Sequence, residues 1–247
     1  MMNITINGKV CECEKGEYIL QIARRNGIEI PTLCHHDGFS GQASCRVCIV
    51  EVFEKGRGKI VVSCLYPVEK ECEVLTDSEK VRKQRGMILR LLQKKAPDSE
   101  EIKALCEKYD APEIPRFITD PGNKCIVCGL CVKACRELSV GAISTVNRGV
   151  FKEIATPYHE PSSVCVGCGS CAYVCPTGAI EMKQTDQERI IWDKTFRLVR
   201  CSSCKEVIGT EEEIASAAAR AGLEPDTLCE RCRRKAIANT FGKIFGE

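Results

Sequence analysis

Several features that are common in enzymes are scarce or missing in this sequence of 247 residues. It has three histidines, His35, His36 and His159, so a Ser-His-Asp triad is not credible. No G-x-G-x-x-G motif follows a strand-like run, and there is no P-loop. Aromatic residues form only 5% of the chain, which favours several small cores, each tied to a metal site, over one large core. We therefore predict no catalytic site in the chain itself.

Signals for export and for membrane insertion are also missing. The first residues, MMNITINGKVCEC, do not combine a basic start with an apolar run, as a signal peptide does. No stretch approaches the roughly 18 apolar residues of a transmembrane helix. We therefore expect a cytoplasmic protein without a membrane span, in a compartment where thiols stay reduced.

Cysteine, in contrast, is abundant, with 20 residues in the chain. Most lie in C-x2-C pairs and triplets, a spacing that suits metal sites better than disulfide bonds. The formal net charge of +2 counts every cysteine as neutral. Four sites of ionised thiolates, each carrying roughly −2, would bring the balance to about −6. Net charge thus gives no reason to expect nucleic-acid binding.

The N-terminal segment, residues 1–77, predicts a small mixed sheet with one crossing helix. A hairpin turn falls at Asn7-Gly8, and a short helix ends near Gly27 before two strand-like runs. Four cysteines follow the pattern C-x10-C-x2-C-x15-C: Cys34, Cys45, Cys48 and Cys64. Plant-type ferredoxins have the same order with a narrower first gap. The pattern predicts a [2Fe–2S] cluster, with a zinc site as the alternative.

Residues 78–120 are predicted to form a helical linker. Its first helix, 78–95, has Ser78 as N-cap and an apolar side marked by Val81, Met87, Ile88, Leu91 and Leu92. A second helix covers 99–109, and a proline-rich connector follows.

Residues 121–185 contain an internal repeat, in which each half reads C-x2-C-x2-C-x3-C and then Gly-Ala-Ile. In bacterial two-cluster ferredoxins, the fourth cysteine of such a run binds the other cluster. We therefore assign one [4Fe–4S] cluster to Cys125, Cys128, Cys131 and Cys175, and the other to Cys165, Cys168, Cys171 and Cys135. Two zinc knuckles are the alternative, but zinc sites do not use this eight-cysteine repeat.

The C-terminal segment, residues 186–247, carries two C-x2-C pairs separated by 24 residues: Cys201, Cys204, Cys229 and Cys232. A short strand, a helix over 211–222 and a last helix from about Arg231 are predicted around them. Two symmetric pairs are typical of a structural zinc site, so we predict a zinc-ribbon-like module. A [4Fe–4S] or a [2Fe–2S] cluster is the alternative. As a zinc module it would dock the chain against a partner.

Four cysteines are left over, and free cysteine is most often a small core residue. We predict that role for Cys11, Cys13, Cys72 and Cys106. His35 and His36 lie beside Cys34, where an ordinary surface position is favoured over a contact to sulfur. The basic run RCRRK, 231–235, is interpreted as a positive helix face or docking surface rather than a nucleic-acid contact.

At this point the chain resembles a known family. The stretch CHHDGFSGQASCRVCIVEV and the repeat carry the resemblance, through NKCIVCGLCVKACRELSVGAI and CVGCGSCAYVCPTGAIE. They are similar to the iron–sulfur region of the large iron–sulfur subunit of respiratory complex I. They are equally similar to [FeFe]-hydrogenases, NAD-linked formate dehydrogenases and the diaphorase small subunit of NAD-reducing hydrogenases. The resemblance covers residues 1 to about 185 and implies a β-grasp [2Fe–2S] domain followed by a bacterial-type 2[4Fe–4S] ferredoxin domain.

The sequence departs from that family in one place. The family usually has a further [4Fe–4S] site, held by one histidine and three cysteines, just after the long helix. Here LLQKKAPDSEEIKALCEKY offers only Cys106 and no histidine, so we expect that cluster to be absent. Electrons would then take a different path to the ferredoxin domain, or a partner would bridge the missing hop.

The resemblance implies a non-catalytic electron-transfer subunit of a soluble, multi-subunit oxidoreductase linked to NAD(H) or NADP(H). Its partners would be a flavin subunit and a further redox subunit or ferredoxin, as in an electron-bifurcating enzyme of an anaerobe. We expect an α+β multi-domain chain with one [2Fe–2S], two [4Fe–4S] and one zinc ion, in a hetero-oligomer. The alternatives are a stand-alone polyferredoxin, or a redox-sensing regulator whose four-cysteine tail binds nucleic acid in a salt-dependent way.

Overall fold

The computed structural model describes residues 2–138 and 140–245, so residues 246–247 of the predicted C-terminal module lie outside the described residues. The chain begins with a five-stranded sheet in the order β2-β1-β5-β3-β4. The strands are β1 (Met2–Ile6), β2 (Lys9–Cys13), β3 (Ile49–Glu54), β4 (Arg57–Val62) and β5 (Glu73–Leu75). β1 pairs with β5 in parallel, and the other pairs are antiparallel. The predicted small mixed sheet is therefore confirmed.

Two tight turns in this sheet follow from their sequence. Asn7 and Gly8 have φ of 51° and 81°, and Lys55 and Gly56 have φ of 49° and 75°. Positive φ at both central residues defines the two-residue turns that match the twist of paired strands. Helix α1 (Ile19–Arg25) crosses the sheet and buries Ile19, Leu20, Ile22 and Ala23 against it.

Helices α2 (Glu79–Lys95) and α3 (Glu100–Lys108) form the predicted linker. Ser78 caps α2 as predicted, because its hydroxyl accepts a hydrogen bond from the Val81 N–H at 3.3 Å. The predicted apolar side of α2 is wrong at Met87 and Leu91, which are exposed by 43% and 42%. The helix instead buries the stripe formed by Val81, Arg85, Gly86 and Leu89. A buried arginine in this stripe is not visible to a count of apolar residues.

The repeat forms two similar short units. Helix α4 (Leu130–Glu137) follows the first cysteine loop, and α5 (Ser170–Tyr173) follows the second. Strands β6 (Ser144–Val146) and β7 (Glu153–Ala155) pair between them. Each helix begins after a glycine in the left-handed region, Gly129 with φ of 81° and Gly169 with φ of 78°.

The C-terminal part has more sheet than the single short strand predicted for it. A four-stranded antiparallel sheet has the order β11-β10-β9-β8. Its strands are β8 (Met182–Gln184), β9 (Glu188–Ile191), β10 (Lys194–Arg200) and β11 (Val207–Thr210). The first of these strands lies before residue 185, on the repeat side of the predicted domain boundary. Helices α6 (Glu211–Ala221) and α7 (Glu230–Phe245) follow. No helix in the described part of the chain has the length and apolar character to cross a bilayer.

Candidate iron–sulfur and metal sites

The four cysteines of the N-terminal set lie together at one end of the first sheet. Cys48 directly precedes β3 and Cys64 follows β4, and these strands pair Ile49 with Val62. The antiparallel register therefore brings the two cysteines to the same end of the sheet. The loop after α1 supplies Cys34 and Cys45, and all four side chains are buried.

The thiols of this set form two hydrogen-bonded pairs. The bond from Cys34 lowers the pKa of Cys45 to about 6, and the bond from Cys64 lowers the pKa of Cys48 to about 7. The Cys45 N–H also donates to Cys34 Sγ at 3.3 Å. Two pairs of thiols, each with one readily ionised member, form a donor set that suits a two-iron cluster.

The loop between Cys34 and Cys45 is shaped around this site. A Cβ on Gly41 would lie 2.8 Å from Leu65 Cδ2 and 3.0 Å from the Cys64 carbonyl oxygen, so a larger residue would crowd this part of the loop. The neighbouring amide of Gln42 has a buried Nε2 with no hydrogen-bond partner among the described residues. The Oε1 atom of this side chain lies towards Gly129, 3.2 Å from the position of a Cβ there, so the amide borders the first loop of the repeat. The donor set of the site itself is the four buried thiols. The residues present thus fit a [2Fe–2S] group.

In the ferredoxin-like repeat, the structure brings Cys175 to the first cysteine loop. Burial, together with the neighbouring charges of Cys175 and Cys125, raises the pKa of Cys128 to about 11. Burial and the charges of Cys128, Cys125 and Cys175 likewise raise the pKa of Cys131 to about 12. Val127 donates its backbone N–H to Cys125 Sγ at 3.3 Å. The first three cysteines of one run therefore lie beside the fourth cysteine of the other.

The second cysteine loop lies beside Cys135, the fourth cysteine of the first run. Cys135 lines one cavity together with Cys165, Cys168, Cys171 and Trp192. A cavity walled by four thiols fits a [4Fe–4S] group, and these are the four cysteines that the sequence pattern assigns to one cluster. The Gly-Ala-Ile segments have a matching role in the two halves. The Ala142 N–H donates to Cys135 Sγ at 3.2 Å, and the Ala179 N–H donates to Cys175 Sγ at 3.3 Å.

Residues from the C-terminal sheet complete the second loop, and the sequence did not reveal them. Trp192 donates its indole N–H to Cys171 Sγ at 3.4 Å. Lys194 Nζ donates to the Cys165 carbonyl at 2.9 Å, and Arg189 donates to the Gly167 carbonyl at 2.7 Å. Phe196, which is almost fully buried, lies against Gly167, where a Cβ would come within 2.5 Å of its ring. In the sequence, the one feature that could have drawn attention to these residues is that Trp192 is the single tryptophan of the chain.

The N-terminal site and the first loop of the repeat are in direct contact. Cys34, Cys45, Cys128 and Leu130 belong to one buried cluster, into which α2 and α3 also pack. Lys133 on α4 donates to the Ser40 carbonyl at 2.7 Å, and the Cys45 charge contributes to the raised pKa of Cys128. The two sites therefore adjoin through the Cys45–Cys128 side, although no histidine-containing site lies in the linker sequence.

The C-terminal cysteines converge more tightly than the other sets. The Sγ atoms of Cys201, Cys204, Cys229 and Cys232 all lie within 4.8 Å of one another, with 3.6 Å between Cys204 and Cys229. A tetrahedral zinc ion with Zn–S bonds of about 2.3 Å requires S···S distances of about 3.8 Å. Backbone N–H groups, foremost those of Cys204 and Cys229, lower the pKa of Cys201 to about 6. This geometry suits a single ion bound by thiolates.

The remaining predicted residues belong to none of the four cysteine sets. Cys11, Cys13 and Cys106 are buried core residues, as predicted, and Cys72 is partly buried against the first core. His35 contacts Arg24 and Asp37, and burial lowers its pKa. His36 accepts a hydrogen bond from the Gly38 N–H at 3.1 Å. Neither contact involves sulfur.

Two protein-family models match the chain in the places that the motifs predicted. A 2Fe-2S iron-sulfur cluster binding domain matches residues 1–79, and a 4Fe-4S dicluster domain matches residues 124–179. The chain is therefore an iron–sulfur protein with a [2Fe–2S] domain and a ferredoxin-type dicluster domain, as the resemblance implied.

Its relatives are subunits of redox complexes linked to NAD(P)H. The chain is 34% identical over 212 residues to the NADP-reducing hydrogenase subunit HndD of Solidesulfovibrio fructosivorans, covering 73% of this chain and 36% of that protein. It is 34% identical over 232 residues to the NADPH-Fe(3+) oxidoreductase subunit alpha of Geobacter sulfurreducens, covering 83% and 27%. It is 31% identical over 207 residues to the NADH-ubiquinone oxidoreductase 75 kDa subunit of Reclinomonas americana, covering 74% and 30%. The chain thus spans about a third of the length of these relatives.

A solved structure has the same fold over most of the chain. It is a chain of the NAD+-reducing [NiFe]-hydrogenase in the H2-reduced state, with a TM-score of 0.61 and 23% identity. The match covers 72% of this chain and 86% of that one. This likeness concerns the fold, whereas the two iron–sulfur domains are shown by the family models.

Proposed function

We propose that this chain is the electron-transfer subunit of a cytoplasmic, multi-subunit oxidoreductase linked to NAD(P)H. The observation that carries the proposal is the contact between neighbouring cysteine sets: Cys45 and Cys128 lie in one buried cluster, and Cys135 shares a cavity with the second cysteine loop. When bound there, iron–sulfur clusters supply one-electron transfer. The protein holds the thiols, aims backbone N–H groups at sulfur and excludes water.

In this proposal, twelve cysteines bind the clusters. Cys34, Cys45, Cys48 and Cys64 hold the [2Fe–2S] cluster. One [4Fe–4S] is held by Cys125, Cys128, Cys131 and Cys175, and the other by Cys165, Cys168, Cys171 and Cys135. Two observations support these assignments: the pairing of the thiols in the N-terminal set, and the cavity that Cys135 shares with the second cysteine loop of the repeat.

A flavin subunit that reacts with NAD(P)H and a further redox subunit or ferredoxin are the proposed partners. The printed names of the relatives, which refer to NADP, NADPH and NADH, support the nucleotide link. The missing histidine-containing cluster does not break the proposed path, because the N-terminal site and the first loop of the repeat pack directly against each other.

The C-terminal four-cysteine site is proposed to hold structural zinc. Its four Sγ atoms lie within 4.8 Å of one another, which suits ligands of a single ion. The thiolates of a [4Fe–4S] cluster each bind a different iron, so their sulfur atoms must lie further apart. The module lies against the second cysteine loop, since the Thr210 hydroxyl donates to the Val166 carbonyl. Zinc here would hold α7 in place as a docking element for a partner.

Metal and sulfide analysis of the full chain, purified anaerobically, tests these assignments. We expect about 10 iron atoms per chain, from one [2Fe–2S] and two [4Fe–4S], and about one zinc. About 14 iron atoms with no zinc would place a cubane in the tail instead. Purification from the native host should also yield flavin and NAD(P)H-dependent dye reduction, and a monomer that lacks both would contradict the proposed complex.

A further inference from the structure

Arg85 is the largest fully buried side chain of the described residues, and the proposed function gives it no role. It projects from α2 into the space between the helix and the N-terminal sheet. A guanidinium keeps its charge in proteins, so its burial requires a compensating negative charge. Its carboxylate partner is Asp77, at 3.3 Å, and that side chain is about half exposed. About half of this partner's side chain faces solvent, which screens part of its charge.

The Arg85 guanidinium donates hydrogen bonds to the backbone on both sides of Cys48, a predicted ligand. Arg85 Nε donates to the Val47 carbonyl at 3.0 Å, and Nη2 donates to the Ile49 carbonyl at 2.6 Å. These residues flank Cys48, whose own carbonyl accepts a hydrogen bond from Ser63 Oγ at 2.7 Å. Three successive carbonyls are therefore fixed, and the direction of the Cys48 side chain is fixed with them.

The charge of Arg85 also acts on the site itself. The guanidinium lies close enough to Cys48 for the two charges to interact. A [2Fe–2S] core together with its four thiolates carries a total charge of roughly −2. This charge supplies the compensation that Asp77 provides only in part. Reduction adds one more negative charge, so a buried cation nearby favours the reduced state.

We propose that Arg85 positions Cys48 through the Val47 and Ile49 carbonyls, and that its buried charge raises the reduction potential of the [2Fe–2S] cluster. The inference rests on the proposed role of Cys48 as a ligand. Arg85 is a positioning and tuning residue, since it touches the backbone around the ligand rather than the cluster.

The test is a redox titration of the full chain, with the [2Fe–2S] EPR signal as readout, for the wild type and Arg85→Met. Loss of the buried charge should lower the ratio of reduced to oxidised cluster about tenfold at a fixed solution potential, equal to about 59 mV for one electron. The matched control is Arg82→Met. Arg82 shares Asp77, at 2.9 Å, but its side chain is exposed to solvent. The control should change the ratio less than about twofold.

One further variant separates the charge of Arg85 from its hydrogen bonds, and a pair of acid variants tests the charge in another way. Arg85→Lys keeps the charge but loses the planar fork, so its potential should stay near the wild type while its EPR line shape changes. If Arg85→Met does not retain iron, Asp77→Asn is compared with Asp110→Asn. Both acids pair with Arg82, but only Asp77 pairs with Arg85. At a fixed solution potential, Asp77→Asn should raise the ratio of reduced to oxidised cluster about threefold, and Asp110→Asn should leave that ratio unchanged.

The outcomes distinguish this inference from the proposed function. Wild-type protein without a [2Fe–2S] signal would refute the ligand assignment. A normal signal with an unchanged potential in Arg85→Met, or equal shifts in the two acid variants, would refute the role of Arg85 alone.

Discussion

Gly167 offers a quantitative test of how the C-terminal sheet supports the second cysteine loop. Its φ is +68°, and a Cβ added to it would lie 2.5 Å from Phe196 Cγ. The left-handed backbone costs an L-residue about 1–2 kcal/mol. Overpacking against a ring that cannot move freely adds about 1–3 kcal/mol. Gly167→Ala should therefore destabilise the chain by about 2–5 kcal/mol.

Gly178 is the matched control for this substitution. It also has positive φ, at +60°, but nothing lies within 4 Å of the position that a Cβ would occupy. Gly178→Ala should cost only the backbone part, about 1–2 kcal/mol. Denaturant unfolding of the full chain, followed through the fluorescence of Trp192, measures both changes beside the loop in question. Equal losses in the two variants would refute the proposed contact with Phe196.

Three further predictions concern separate sites. Cys135→Ser should lower the iron content of the chain and weaken the [4Fe–4S] EPR signal. The control is Cys106→Ser, at a buried cysteine outside all four sets, which should leave the iron content unchanged. Equal iron loss in both variants would contradict the assignment of Cys135. Cys204→Ser should remove zinc while iron stays near the wild-type value, and parallel loss of iron would indicate a cluster in the tail. Lys70, Tyr66 and Lys59 lower the pKa of Glu54 from 4.5 to about 2. Its stabilisation is therefore present above pH 4.5 and lost as the pH falls towards 2. Glu54→Gln should flatten this part of an acid-unfolding curve, and an unchanged curve would show that the contacts contribute nothing.

The cysteine centres could be proposed from the sequence because their spacing carries the chemistry. The exchange of Cys135 and Cys175 between the two halves follows from the repeat and stays a prediction, which the cavity shared by Cys135 and the second cysteine loop supports. The tail pairs also converge as their symmetry indicated. The first sheet was predictable because Asn7-Gly8 and Lys55-Gly56 suit turns with positive φ.

The parts that the sequence did not predict support the centres from outside the motifs. The β9–β10 turn has positive φ at Trp192 and Asp193, and tryptophan is rarely used in such turns, so no hairpin was expected there. The strained turn aims the indole at Cys171, which is a tertiary reason for a locally unfavourable conformation. Arg85 was missed for a related reason, since a charged residue in a helix normally indicates the solvent side.

Coulometric reduction of the anaerobic, iron-loaded full chain tests the central claim most directly. Three separate one-electron centres predict uptake of about three electrons per chain, with a [2Fe–2S] signal and two interacting [4Fe–4S] signals by EPR. Uptake of one electron or none, with zinc in place of iron at the twelve cysteines, would contradict the account of this chain as an electron-transfer subunit.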